Sequence, residues 1–171
     1  MTFKLNRRTE QFFIRNAGLL HADKIGLNTF EELKDWAAKN GIENSMPVYT
    51  PSDDEVQKSP FRTVAGAMAF QAWHDRRHIS FAKAFTLDGE HWLALQHVDE
   101  LLRAGQHPID VTAIYFMIYG RNAYFYNNGH HAVSNTSAFI DEAFAEGVEI
   151  AARRLINLEH AYESGNLSGF F

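Results

Sequence analysis

Two histidines and a glutamate have the spacing of a metal site. His74 and His78 are four residues apart, and Glu90 follows after eleven intervening residues. On a helix, residues four apart lie on one face, one turn from each other. One helix offers two imidazole nitrogens to a metal ion at this spacing. Glu90 comes just after a glycine-containing break, so it can return to the histidines as a third ligand.

The predicted ligand set limits the metal and the chemistry. Two neutral imidazoles and one carboxylate leave coordination positions open for water or substrate. This is the composition of a hydrolytic zinc site and of the two-histidine, one-carboxylate iron site. We therefore expect a divalent metal, with zinc as the first expectation and iron as the second. The chain has no cysteine, which excludes thiolate ligands and a cysteine nucleophile.

Charged residues between the histidines suggest further roles. Asp75 takes the position at which zinc proteases carry their glutamate base, so it is the predicted catalytic residue. The alternatives are that Asp75 is a ligand or that it orients an imidazole. Arg77, with Arg76 beside it, is predicted to bind an anionic group of the substrate. The alternative for both arginines is ordinary helix-surface charge.

A central helix is predicted from Pro60 to about Phe85, with proline at a tolerated first position. His74 and His78 share an apolar stripe of this helix, so both imidazoles are expected to face the interior. The other members of the stripe are Ala67, Phe81 and Phe85. The charged residues 75–77 are expected to project sideways or outward.

A second helix over about 88–104 is predicted to fold back as a hairpin, after a break and cap at 86–89. Glu90 then lies one turn into the return helix, close enough to meet His78. His97 is two turns beyond Glu90 on a similar face and approaches His74. His97 is therefore predicted as a fourth metal ligand, or as a residue that supports a ligand from behind.

The remaining elements are predicted from caps, breakers and periodicity. A first helix is expected over 9–20, and a second over 29–40 from the capping box of Thr29 and Glu32. Residues 42–60 are predicted to be a long irregular loop, with 46–49 as a short extended piece. Such a loop can cover the metal region.

The segment 110–126 is apolar almost all round, which predicts a central helix, with a buried strand as the lesser alternative. This segment is expected to be internal, or else to form the subunit interface of a homo-oligomer. His130 and His131 are predicted as exposed loop histidines, with metal ligation as the alternative. A last helix is expected from a cap at 134–136 to about 164, followed by a loose tail at 165–171.

Length and composition indicate one all-α domain over residues 1–171, a bundle of about six helices. The net charge of −5 and a pI near 6.0 argue against nucleic-acid binding. No stretch approaches about 18 uninterrupted apolar residues, so no membrane span is expected. The absence of cysteine fits a reducing compartment, which predicts a cytoplasmic location.

The pattern His74-Asp75-x-x-His78, eleven residues and Glu90 resembles the metal-ligand motif of the coenzyme Q biosynthesis protein four family. Gly89 matches as well, and the resemblance covers about 17 residues. It implies a zinc or similar divalent site on an all-helical fold. That family is implicated in replacing the ring carboxyl of a quinone precursor. The chain is also similar to short helical proteins of phages and bacteria, of unknown function, that carry His-Asp-x-x-His followed by Gly-Glu.

These observations lead to two hypotheses. The first is a zinc- or iron-dependent enzyme, hydrolase-like or decarboxylase-like, that acts on a small, partly apolar substrate. The second is a non-enzymatic structural or interaction protein. In that second case the histidines are satisfied core groups, or the metal is a structural staple.

Overall fold

The computed structural model describes residues 3–120, residue 122 and residues 136–144. These residues form seven α-helices and one parallel pair of strands. In chain order the elements are α1 (Arg7–Asn16), β1 (Leu20–Asp23), α2 (Phe30–Asn40), β2 (Met46–Tyr49), α3 (Asp53–Gln57), α4 (Val64–Ser80), α5 (Leu87–Arg103), α6 (Pro108–Tyr115) and α7 (Thr136–Ala143). A π-helical turn (Phe116–Gly120) continues α6. None of the described helices is long and apolar enough to cross a membrane.

The prediction of a mainly helical fold is confirmed, but a strictly all-α fold is wrong. β1 pairs in parallel with β2, in a register that places Leu20 beside Met46, and α2 connects the two strands. The strand forms because alternate side chains of β2, Met46 and Val48, are fully buried. The sequence predicted this extended piece correctly.

The long irregular loop predicted for 42–60 is also wrong, because this segment contains β2 and α3. Ser52 and Glu55 form a capping box that starts α3. Each satisfies a backbone N–H that the first turn of the helix would leave without a partner. The pattern Ser-x-x-Glu is visible in the sequence and predicts this helix.

α4 is the central helix, packed against α1, α2, α3, α5 and β2. Its Trp73 is fully buried, and its ring contacts the rings of Phe12, Phe13 and Phe70. α5 packs along α6 and the π-helical turn, which also contacts α7. α1 therefore supplies two of the aromatic rings that pack against Trp73.

α4 is shorter than the sequence suggested, running from Val64 to Ser80 rather than from Pro60 to Phe85. Thr63 is the N-cap and accepts a hydrogen bond from the Gly66 N–H. Glu10 of α1 in turn accepts hydrogen bonds from the Thr63 N–H and hydroxyl, at 2.9 and 2.5 Å. The start of α4 is therefore set by a partner that is distant in sequence.

α4 ends in a tight turn over 81–86, where Ala82 takes a positive φ of 52°. Thr86 then caps α5 by accepting from the Gly89 N–H, as the sequence predicted. α5 returns beside α4 and forms the hairpin that the ligand prediction needs.

The other predicted helices agree in part with the structure. α1 begins at Arg7 and ends at Asn16, and α2 has the predicted capping box of Thr29 and Glu32. The segment 110–126 is described as helix through residue 120. Asn122 is also described as helix, while residue 121, residues 123–126, His130 and His131, the last helix beyond residue 144 and the tail at 165–171 lie outside the described residues.

Candidate metal centre

Three side chains converge between α4 and α5. The Nε2 atoms of His74 and His78 are 3.0 Å apart. Glu90 Oε2 is 3.4 Å from His74 Nε2, and Glu90 Oε1 is 3.4 Å from His78 Nε2. These ligand atoms all lie within 4.8 Å of one another, so the three residues form a group that can hold a metal ion.

The distances fit a divalent transition metal. Ligand atoms about 2.0–2.1 Å from a tetrahedral ion are about 3.3 Å from one another, and adjacent ligands of an octahedral ion about 3.0 Å. The three observed separations, 3.0, 3.4 and 3.4 Å, fall in this range. The two imidazoles and one carboxylate therefore have the spacing of ligands that share one metal ion.

The main chain of the turn fixes the orientation of His78. Its Nδ1 is 2.6 Å from the carbonyl oxygen of Lys83. Because a carbonyl oxygen only accepts, Nδ1 carries the proton and the Nε2 lone pair points into the site. The His78 side chain is fully buried, with Phe85 against its ring at 4.4 Å. This side of the site is closed by protein.

His97 lies behind His74 and not among the ligand atoms. Its Nε2 is 2.9 Å from the outer nitrogen of His74, Nδ1. The His97 ring is fully buried against Trp73, with ring centroids 4.0 Å apart. Its Nδ1 has no hydrogen-bond partner among the residues that the structure describes. Of the two predicted roles for His97, the geometry matches support of a ligand from behind.

Burial and the charges of neighbouring side chains act in opposite directions on the pKa values of this group. Burial alone would raise the pKa of Glu90, but hydrogen bonds and charge from His74 and His78 outweigh it and lower that pKa to about 2. Burial opposes protonation of His74, yet the Glu90 carboxylate raises its pKa. Burial lowers the pKa of His78, and lowers that of His97 further. The Glu90 carboxylate thus favours the charged form of His74, whereas burial favours the neutral form of His78.

Asp75 is buried, contrary to the expectation that it projects sideways or outward. Its exposed fraction is 7%, and burial raises its pKa to about 7. The Gln71 side chain lies beside the Asp75 carboxylate and partly offsets this rise in its pKa. The expectation failed because α4 is packed on several sides and has little outward face.

Arg76 is buried for the same reason and is not a surface charge. Its guanidinium donates to four main-chain carbonyl oxygens, those of Ala17, Leu19, Ile42 and Asn44. Only 7% of the residue is exposed. Arg76 therefore binds the two segments that lead into β1 and β2.

Arg77, the predicted substrate-binding residue, is engaged elsewhere. Its Nη2 is 2.6 Å from Glu100 Oε1, and its guanidinium lies over the Trp73 ring at 5.0 Å. Arg77 is not among the residues that line the pocket beside the metal group. The structure thus does not bring Arg77 to the space that a substrate would occupy.

A pocket of about 350 Å³ opens beside the group, and His74 and Glu90 form part of its wall. Its other described side chains come chiefly from α4, the segment 49–61 and the π-helical turn, and Asn122 and Thr136 also line it. Examples from these three parts are Ala67, Phe70 and Gln71; Tyr49, Ser59 and Phe61; and Met117 and Ile118. The expectation that the chain before α4 covers the metal region agrees with this arrangement.

Sequence reasoning missed several members of the site. Gln71 lies three residues before His74 on α4, so helical periodicity could have identified it. The Lys83 contribution is a carbonyl oxygen, for which no side-chain pattern gives a signal. The pocket walls from Phe61 and Met117 depend on how distant segments pack.

No known protein-family model matches the chain, and searches of the curated proteins and of the solved structures find no match either.

Proposed function

We propose that this chain is a divalent-metal-dependent enzyme that acts on a small molecule bound in the pocket. His74, His78 and Glu90 hold the ion, with zinc as the first candidate and iron as the second. One observation carries the proposal: the three ligand side chains converge, and two of them, His74 and Glu90, also line a pocket of about 350 Å³.

A divalent ion at this site supplies a Lewis acid that polarises a substrate oxygen or activates water. The residues of the chain prepare the site for this chemistry. Glu90 stays ionised because its pKa is about 2, so it offers a negative charge to a cation. His78 keeps its Nε2 lone pair free by donating Nδ1–H to Lys83. The aromatic rings around His78 exclude water from the closed side.

Gln71 is the polar side chain best placed to contact a substrate near the ligands. It lines the pocket and lies beside the Asp75 carboxylate, one turn before Asp75 on α4. Asp75 does not line the pocket, so its role in this proposal is to position Gln71. Holding one amide orientation gives a substrate group a fixed hydrogen-bond partner.

The reaction that fits best is hydrolysis or the loss of a carboxyl group. Both begin with a carbonyl or carboxylate oxygen that a cation can polarise. The likeness of the His-Asp-x-x-His and Glu pattern to the coenzyme Q biosynthesis protein four family supports carboxyl chemistry. The composition of the ligand set supports hydrolysis equally.

The alternative is a structural metal in a non-enzymatic protein. Structural zinc sites are closed by four protein ligands, whereas catalytic sites keep a position open. In the described part of the chain three residues form the group, and its His74 and Glu90 side faces the pocket. This open side favours the enzyme.

The first test is elemental analysis of tag-free protein, wild type beside His78→Ala. The matched control is His21→Ala, because His21 is an exposed histidine of β1 that contacts Ser45 and not the site. We expect about one equivalent of zinc or iron per chain in the wild type and in the control. We expect the metal to be lost from His78→Ala while circular dichroism still shows a folded protein.

Retention of the metal by folded His78→Ala would contradict the ligand assignment. The enzyme part needs a second readout, release of product from a panel of small esters, amides and carboxylic acids. Turnover by the metal-loaded wild type and none by His78→Ala is the expected result. Metal bound by the wild type and lost from His78→Ala, with equal background rates in both proteins, would favour the structural alternative.

A further inference from the structure

The geometry points to a substrate class: a largely apolar molecule that reaches the ligands through one oxygen-bearing group and carries no phosphate. This inference rests on the proposed function, since it assigns the substrate of that same pocket. It differs from the sequence-based expectation that an arginine holds an anionic group.

The pocket wall has little positive charge to offer. Among the described residues that line it there is no lysine or arginine. The two arginines nearest in sequence to the ligands have other partners. Arg76 donates to main-chain carbonyl oxygens, and Arg77 forms an ion pair with Glu100. Phosphate groups are bound by fixed cationic donors or clustered backbone N–H groups. A phosphorylated molecule would bring two negative charges toward Glu90 without compensation from the wall.

Three polar side chains of the wall, those of Tyr49, Ser59 and Asn122, are already bonded to the protein. The Tyr49 hydroxyl donates to the Glu55 carboxylate at 3.0 Å, and the Ser59 hydroxyl donates to the Val56 carbonyl at 3.0 Å. The amide of Asn122 donates to the Ile118 carbonyl at 2.9 Å. A substrate rich in hydroxyl groups would lose its water and gain few partners here, which is unfavourable.

The rest of the wall is apolar and large enough for a chain or ring system. Ala67 and Phe70 of α4 face Phe61 and the side chains of Met117 and Ile118 across the pocket. Methionine adapts its shape to an apolar guest. A volume of about 350 Å³ corresponds to roughly a dozen heavy atoms at about 30 Å³ each. Ala67 lies two turns from His74 on α4, so it marks the end of the pocket far from the ligands.

The test uses hydroxamates, which bind metals through two oxygens and can carry apolar tails of different length. The protein is loaded with Co²⁺, whose visible absorption reports both metal uptake and hydroxamate binding. We expect octanohydroxamate to bind about 100-fold more tightly than acetohydroxamate. This gain in affinity is smaller than the upper limit for complete burial of the longer tail, which is roughly fourfold for each additional methylene group. Octyl phosphate at the same concentration should not displace octanohydroxamate.

Two variants locate the apolar subsite. Ala67→Leu fills the far end of the pocket, so it should reduce the preference for the long chain at least tenfold and leave Co²⁺ uptake unchanged. Ala38→Leu makes the same change on an exposed face of α2 and should leave the preference intact. If Ala67→Leu does not fold, Met117→Gln replaces it, because glutamine has a similar length but disfavours an apolar tail.

The outcomes separate this inference from the proposed function. Co²⁺ uptake with equal affinity for the two hydroxamates, or displacement by octyl phosphate, overturns the inference and leaves the metal site standing. An unchanged chain-length preference in both pocket variants also overturns it. Failure of the wild type to take up Co²⁺ overturns the proposed function, and the substrate class with it.

Discussion

His97 controls the metal site through another histidine. For His74 to direct the Nε2 lone pair at a metal ion, its Nδ1 must carry the proton and donate it to His97 Nε2, 2.9 Å away. His97 then carries its own proton on Nδ1, which has no partner among the described residues. The cost of this buried N–H is offset because the hydrogen bond between the two histidines holds the ring of His74 in one orientation.

We predict that His97→Phe weakens metal binding by about 10- to 100-fold, the usual effect of losing a group that orients a ligand. His97→Gln can still accept from His74 Nδ1 and should stay within a few-fold of the wild type. Competition with a chelator of known affinity measures both. Equal metal affinity of folded His97→Phe and wild type would contradict this role.

The turn between α4 and α5 positions two residues of the site, His78 and Glu90. Within it, the Lys83 N–H donates to the His78 carbonyl at 2.9 Å, and the Lys83 carbonyl accepts from the His78 ring. Thr86 caps α5 one turn before Glu90, since the Glu90 N–H donates to the Thr86 carbonyl at 2.8 Å. The turn thus sets the position of Glu90 along the helix axis relative to His78. The same turn requires Ala82 to adopt a φ of 52°.

Ala82→Gly should stabilise the protein by about 1 kcal/mol, because a left-handed backbone strains alanine more than glycine. The matched control is Ala104→Gly at the end of α5, where φ is −75° and glycine brings only added freedom in the unfolded chain. That control should lose stability. Urea unfolding of the metal-free proteins measures both changes, and destabilisation by Ala82→Gly would contradict the strain argument.

At the scale of the whole molecule, α4 joins the metal site to the rest of the fold. One face carries His74 and His78, while Arg76 reaches in another direction to carbonyls of the segments before β1 and β2. Lys4 has a similar role near the chain start, donating to the carbonyls of Val56, Gln57, Ser59 and Phe61. Lys4 therefore anchors the wall formed by 49–61, whereas Arg76 anchors the segments that lead into the two strands.

Arg76→Met should destabilise the protein by about 3 kcal/mol or more, since it leaves several buried carbonyl oxygens without donors. Arg77→Met makes the same chemical change one residue later and should cost less than about 1 kcal/mol, because its pair with Glu100 is partly exposed. Chemical denaturation of both variants gives the comparison. Similar losses would show that Arg76 is not the anchor that its contacts indicate.

The sequence alone determined the features that depend on local geometry. Spacing of four along a helix places His74 and His78 on one face whatever surrounds them, and the Thr86 cap needs only its own turn. The return of α5 then brings Glu90 to them after a short connection. The mainly helical fold and the capping box of Thr29 likewise followed from neighbouring residues.

Only the tertiary structure decided what each side chain meets across the fold. Asp75 and Arg76 became buried because other elements pack on several sides of α4, which helix periodicity does not report. His97 contacts the outer nitrogen of His74 because the relative height and rotation of two helices set that distance. The apolar wall of the pocket combines side chains of α4, the segment 49–61 and the π-helical turn, so its character arises from packing between segments far apart in the chain.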